Sequence, residues 1–209
     1  MSEKVPCSKC GAPILLSTVS KTNGLCMPCK GGYRDSLEAR KREIHAEREA
    51  DRTDRYRRLW LSLVQQVHYS PDGFDGLSHP QELYFAIGCL EGDVYNGGFH
   101  QYFFNSSGSY YAYAEEGLIA IGASQTLELL QNAKHVLFAS DAMPVKITDR
   151  RKALQDLLKT QSETAKSSQE LDDLDSRYWR DAESIDARMK VFARDHGLLN
   201  QGNQPFVPE

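Results

Sequence analysis

Four cysteines stand as two C-x2-C pairs, Cys7 with Cys10 and Cys26 with Cys29, separated by 15 residues. Two thiolates three positions apart can reach one ion from a tight turn. Two such turns brought together by a hairpin place four sulfurs in a tetrahedron about 2.3 Å from a zinc ion. Gly11 directly follows Cys10, where such a turn tends to need a positive φ. The second pair is less regular, since Pro28 removes an N–H and Lys30 stands where Gly11 would correspond. Lys4, Lys9, Lys21 and Lys30 are close enough in sequence to offset the charge of four thiolates. The expectation is one structural zinc per chain. Its coordination is closed, so it folds a small head and performs no catalysis. Two disulfides, four unrelated cysteines, or an iron centre on the same ligands are the alternatives. Cys89 stands apart and is expected to be a small core residue.

A second concentration of chemistry runs from Val94 to Gly108. Asn96-Gly97-Gly98 breaks a helix, and Phe99-His100-Gln101-Tyr102-Phe103-Phe104-Asn105 sets polar groups within an aromatic run. Polar groups in such surroundings must be hydrogen-bonded or they destabilise the fold. The simpler reading is structural: Asn96 and Asn105 cap helix ends while His100 and Gln101 tie loops together. The sharper one is a ligand pocket with His100 as acid–base, supported by Asn96, Asn105 or Glu91. No Ser/His/Asp or Cys/His pairing accompanies the motif, no phosphate-cradling Gly loop occurs, and no catalytic residue is assigned. His68, His79 and His135 read as isolated surface or cap residues.

The run from Val94 to Gly108 resembles the hallmark of a bacterial helical domain family of unknown function, the DMP type, whose best-known member is a DNA mimic. Glu115 to Ala123 looks like that family's following helix, and Leu171-Asp172-Asp173-Leu174-Asp175-Ser176-Arg177-Tyr178-Trp179 like its acidic–aromatic segment. The resemblance spans about residues 59–197 and implies an all-α fold. It further implies surface acids that imitate DNA phosphates on the DNA-binding face of a transcription factor. The acids available for such a face are Asp72, Asp75, Glu91, Asp93, Glu115, Glu116, Asp172 and Asp173.

Charge is distributed in keeping with two jobs. The chain has 209 residues and a net charge of −4. Residues 1–58 hold 13 Lys/Arg against 8 Asp/Glu, and the remainder carries −9. Between Leu59 and Ser140 the one basic side chain, Lys134, faces eight acids. Direct nucleic-acid binding through the ribbon and the basic helix is the alternative to capture of a basic protein partner, but acids interleave with its positive charges. No stretch approaches the roughly 20 apolar residues of a membrane span. The N-terminus lacks the apolar core of a secretory signal, so a cytoplasmic protein is expected.

These groups need elements to hold them. Residues 1–32 are expected to form a zinc ribbon, with Ile14-Leu15-Leu16 and Ser17-Thr18-Val19 as hairpin strands. So small a module needs its metal to fold. Residues 33–58 read as a solvated connector helix laced with i,i+4 pairs such as Glu38 with Arg42 and Asp51 with Arg55. Residues 59–200 read as an all-α domain, and 201–209 as a tail. Helices are expected near Leu59–Tyr69, His79–Tyr95, Phe99–Asn105, Tyr110–Gly122, Ser124–Phe138, Asp149–Thr160 and Asp175–His196. The fold class is mostly α: a small four-cysteine zinc ribbon with a short β-hairpin, a long charged helix, then an all-α helical domain.

Overall fold

A computed structural model of the chain describes residues 4–139, 142–157 and 161–200. The expected tail at 201–209 lies outside them. The chain divides into two compact units after Asp54.

In the first unit, β1 (Lys4–Pro6) pairs antiparallel with β2 (Pro13–Leu15), in the register Lys4↔Leu15, Val5↔Ile14 and Pro6↔Pro13. The hairpin therefore brackets the first cysteine pair instead of lying between the two pairs. Ser17-Thr18-Val19, expected as a strand, falls in the helix α1 (Leu16–Thr22). Three β-branched residues in seven lower helix propensity only slightly, and Thr22 Oγ1 bonds back to Thr18 O and forward to Leu25 O. The short α2 (Met27–Lys30) carries Cys29, and α3 (Arg34–Thr53) is the charged helix. It ends at Thr53 rather than near Arg58, because Asp54 is extended, with ψ 118°. Surface pairs line it, Arg34 to Glu38 at 3.2 Å among them.

In the second unit the described elements are all helical: α4 (Arg55–Tyr69), α5 (His79–Phe104), α6 (Tyr111–Ala120), α7 (Ser124–Phe138), α8 (Ile147–Leu157), α9 (Gln161–Tyr178) and α10 (Ile185–Asp195). Short 3-10 turns at Gly73–Gly76 and Ser106–Tyr110 join some of them. Among the described residues no helix is long and apolar enough to cross a membrane. α5 is the centre: Leu83, Phe85, Ile87, Leu90, Val94, Phe99, Tyr102 and Phe103 bury themselves around its circumference, as a helix surrounded by others requires. It packs on α4, α6, α7, α8, α9 and α10. A capping box opens it, with Ser78 N–H donating to Gln81 Oε1 at 2.8 Å.

The single helix expected from Asp175 to His196 is instead two, α9 and α10, broken at residues 179–184. The acids Asp172 and Asp173 suggested a helix start. Leu171, Leu174 and Tyr178 show otherwise, since all three are buried on one stripe of α9. The new start is capped by Asp181, whose Oδ1 accepts the Ile185 N–H at 2.9 Å.

Candidate functional site

The head is built around its sulfurs. Cys7 N–H donates to Ala12 O at 2.8 Å and Gly11 N–H to Cys7 O at 2.9 Å, closing the first knuckle with Gly11 at φ 71°. The second knuckle docks on it, as Cys26 N–H donates to Cys7 Sγ at 3.2 Å and Ser8 N–H to Gly24 O at 3.0 Å. The four Sγ atoms all lie within 4.8 Å of one another, with Cys10 and Cys26 at 3.6 Å and no two bonded. A tetrahedron of thiolates around zinc has edges of about 3.8 Å, so the donor set fits a metal ion. Cys7, Cys26 and Cys29 are buried.

Electrostatics point the same way. The Cys26 N–H and further backbone donors hold the Cys7 thiol down to about 6, while burial and the neighbouring thiols push Cys29 up to about 12. Four sulfurs this close cannot all ionise without a cation between them. Arg34, at the start of α3, also serves. Burial disfavours its charge, but Cys10, Glu38, Cys26 and Cys29 together raise its pKa. The sequence alone suggests lysines for that role. Of these, Lys30 spends its ammonium on Lys21 O at 3.1 Å.

In the body, α5 is kinked at Gly97 and Gly98. Gly98 has φ 74° and ψ −177°, and a Cβ there would collide with the Asp175 carboxylate. The kink frees an acceptor on one side and a donor on the other, and the last turn of α9 with the residue that follows it satisfies both. Trp179 Nε1–H donates to Val94 O at 3.0 Å, and Asp175 Oδ1 accepts the Phe99 N–H at 2.8 Å. Four residues apart, the two partners share one face of the helix. The far end of the half-helix Phe99–Phe104 is held by arginines. Arg150 is fully buried, donating through Nε to Phe103 O at 2.7 Å and through a terminal nitrogen to Asn105 O at 2.8 Å. Arg151 Nε donates to Phe104 O at 2.8 Å. A carboxylate at the start and guanidiniums at the end complement the half-helix dipole.

The polar residues of the motif sort accordingly. Gln101 and Asn105 both donate to Asp93 Oδ1, at 3.2 and 2.8 Å. His100 is half-buried and stacks on Phe104 at 5.9 Å; burial holds its pKa below the usual range. Its imidazole makes no hydrogen bond among the described residues. Asn96 is exposed rather than capping, and Glu91 interacts with Asp181 and Asp186 instead of His100. Among the described residues none of Asn96, Asn105 and Glu91 hydrogen-bonds to His100, and the carboxylate that acts on its imidazole is Asp175. Cys89 is half-buried against the core, its thiol pushed up to about 12 by burial.

The eight acids do not act as one face. Asp72, Asp75, Asp172 and Asp173 are exposed or nearly so. Asp93 is turned inward onto Gln101 and Asn105, and Glu91 is half-buried. Glu115 accepts from Tyr111 Oη at 2.5 Å and Gln131 at 3.0 Å. Glu116 accepts from His79 Nε2 at 2.8 Å, while His79 Nδ1 meets Glu82 at 3.0 Å. His79 is thus engaged on both nitrogens rather than isolated, and its bonds to these carboxylates raise its pKa. Sequence reading misses Arg150, Asp175 and Trp179 as partners of the motif. For Asp175 and Trp179 the one signal is the acidic–aromatic segment Leu171–Trp179, and Arg150 has none.

Comparison with curated proteins and with solved structures gives no match. The family model of the DMP19-like protein matches residues 75–196, a span that begins just ahead of α5 and closes just after α10. That span contains the kinked helix and every group that caps it, and the chain belongs to the DMP19-like protein family.

Proposed function

We propose that the helical body is a non-enzymatic module that captures a basic protein surface, and that the four cysteines hold one structural zinc. The observation that carries the first part is the family match over a body whose residues 55–209 bear −6. The exposed carboxylates Asp72, Asp75, Glu116, Asp172 and Asp173 would meet the face that a DNA-binding regulator otherwise turns to phosphates, so the body would act as a DNA mimic. Gln101 and Asn105 support this non-catalytic reading, since Asp93 occupies both. The donor set supports zinc, because four clustered thiolates favour it among divalent ions in a tetrahedral, closed site.

Capture of partners from a bacterial lysate tests the first part, repeated with Asp72, Asp75, Glu116, Asp172 and Asp173 neutralised. Loss of a DNA-binding protein from the captured set, with weaker capture in high salt, is expected. Unchanged capture rejects the acidic surface. Metal analysis of reduced protein is expected to give about one zinc per chain.

A further inference from the structure

Three elements converge beside the kink. α5 contributes Glu91 and Tyr95, one turn apart. The break between α9 and α10 contributes Trp179 and Asp181, and the first turn of α10 contributes Asp186. Tyr95 and Trp179 are 49% and 50% exposed, yet neither is loosely held. The indole is fixed by its bond to Val94 O, and the Tyr95 ring leans edge-on against Tyr178, with centroids 5.7 Å apart. Two half-open, immobilised rings are a preorganised surface.

The charge around them is unbalanced. Lys190 pairs with Asp186 at 2.6 Å. Among the described residues no ion pair forms to Glu91 or Asp181. Glu91 is half-buried, and the two aspartates stand within electrostatic reach of it. The Tyr178 hydroxyl is buried without a hydrogen-bond partner, and Glu91, Tyr95 and Asp181 act on it electrostatically. What Glu91 and Asp181 lack is a cation beside them. A metal ion does not suit this place. Among the described residues only the four cysteines bring His, Cys, Asp or Glu ligand atoms close enough to share an ion. Carboxylates spread beside aromatic rings instead suit an organic cation, held by charge and by the ring faces together.

We infer that Glu91, Tyr95, Trp179 and Asp181 form a receptor for one arginine or lysine side chain of the partner protein. This rests on the reading of the body as a module for a basic protein surface. It names a place on that surface which the exposed acids alone do not.

The test uses the full chain with its metal, followed by nuclear magnetic resonance of the two indole N–H signals, Trp60 and Trp179. The probes are a Gly-Arg repeat hexapeptide, its lysine counterpart and its neutral citrulline counterpart, titrated at low salt. The expected result is a saturable shift of Trp179 with Trp60 unmoved, for the arginine or lysine peptide and not for citrulline. Glu91→Gln and Tyr95→Leu are each expected to weaken it about five- to tenfold. Melting of both variants checks the fold, and Glu91→Gln is expected to be no less stable than the parent. Equal response to citrulline overturns the inference. Binding of the basic peptides with Trp179 unmoved, or unweakened in Glu91→Gln, overturns the site but leaves the module reading intact. Failure of every basic peptide to bind overturns both.

Discussion

At the scale of single residues the two glycines of the kink are not equivalent. Gly97 has φ −167°, extended backbone that any residue adopts, and a methyl group there would meet the flexible end of Gln101. Gly98 combines a positive φ with the Asp175 carboxylate against its Cα. Gly98→Ala should therefore destabilise the body by about 3 kcal/mol, joining left-handed strain to displacement of the Phe99 cap. Gly97→Ala should change it by less than about 1 kcal/mol. Urea unfolding of the two variants checks this. Glu91 gives a second prediction. Burial, then Asp181 and Asp186, push its pKa up to about 7. An acid whose folded pKa is raised binds its proton more tightly folded than unfolded. Stability is therefore lost as pH rises from about 4.5 through 7, and stays lost above. Glu91→Gln should remove that slope and gain up to about 2 kcal/mol at pH 8, read from melts across about pH 4–8. The cysteine spacing and the Asn-Gly-Gly-Phe break were legible in the residues themselves. Arg150 was not, because nothing local marks an arginine that will be buried whole against a carbonyl 47 positions away.

At the scale of elements, the helical class and the start and end of α7 follow directly from apolar spacing. Two boundaries do not. The acids of Asp172–Asp175 resemble a helix start, but Asp175 caps another helix through space, so its position answers to Phe99 and not to its own neighbours. The true start, at Ile185, is capped by Asp181 from four residues back, a pattern that the usual Ncap position does not reveal. In the head, knuckle geometry overrides strand propensity, and the hairpin forms around Cys7–Cys10 rather than beyond it. The element scale also carries a prediction. β1, β2, α1 and α2 bury little beyond Ile14 and the cysteines, so an ion held by the cysteines would supply their stability. A strong chelator should abolish amide protection over residues 4–33 while leaving that of α5, α6 and α7 unchanged, measured by hydrogen exchange. Simultaneous loss in both regions would show that the body depends on the metal.

At the scale of the whole molecule, sequence and structure divide the labour at the same kind of boundary, a change of charge and of core. The first unit gathers its buried groups around sulfur, the second around the aromatic faces of α5. Net charge alone was a coarse guide within the body. Of the acids that looked available for a partner, several are committed to the fold, as Asp93 is to Gln101 and Asn105. Tyr95 and Trp179 beside the kink, by contrast, stay half-exposed. Three-dimensional capping groups could not be counted from a linear pattern, which is why the open and the committed carboxylates looked alike in sequence.

The kinked helix has a consequence for how the chain is made. The half-helix Phe99–Phe104 is under two turns long and cannot persist alone. Its start is capped by Asp175, 76 positions downstream, and the carbonyl that precedes it by Trp179, 85 positions beyond Val94. During synthesis the ribosome therefore releases the half-helix long before either of these caps exists. The kink is born uncapped, and its nascent chain should engage chaperones until residue 179 has cleared the exit tunnel.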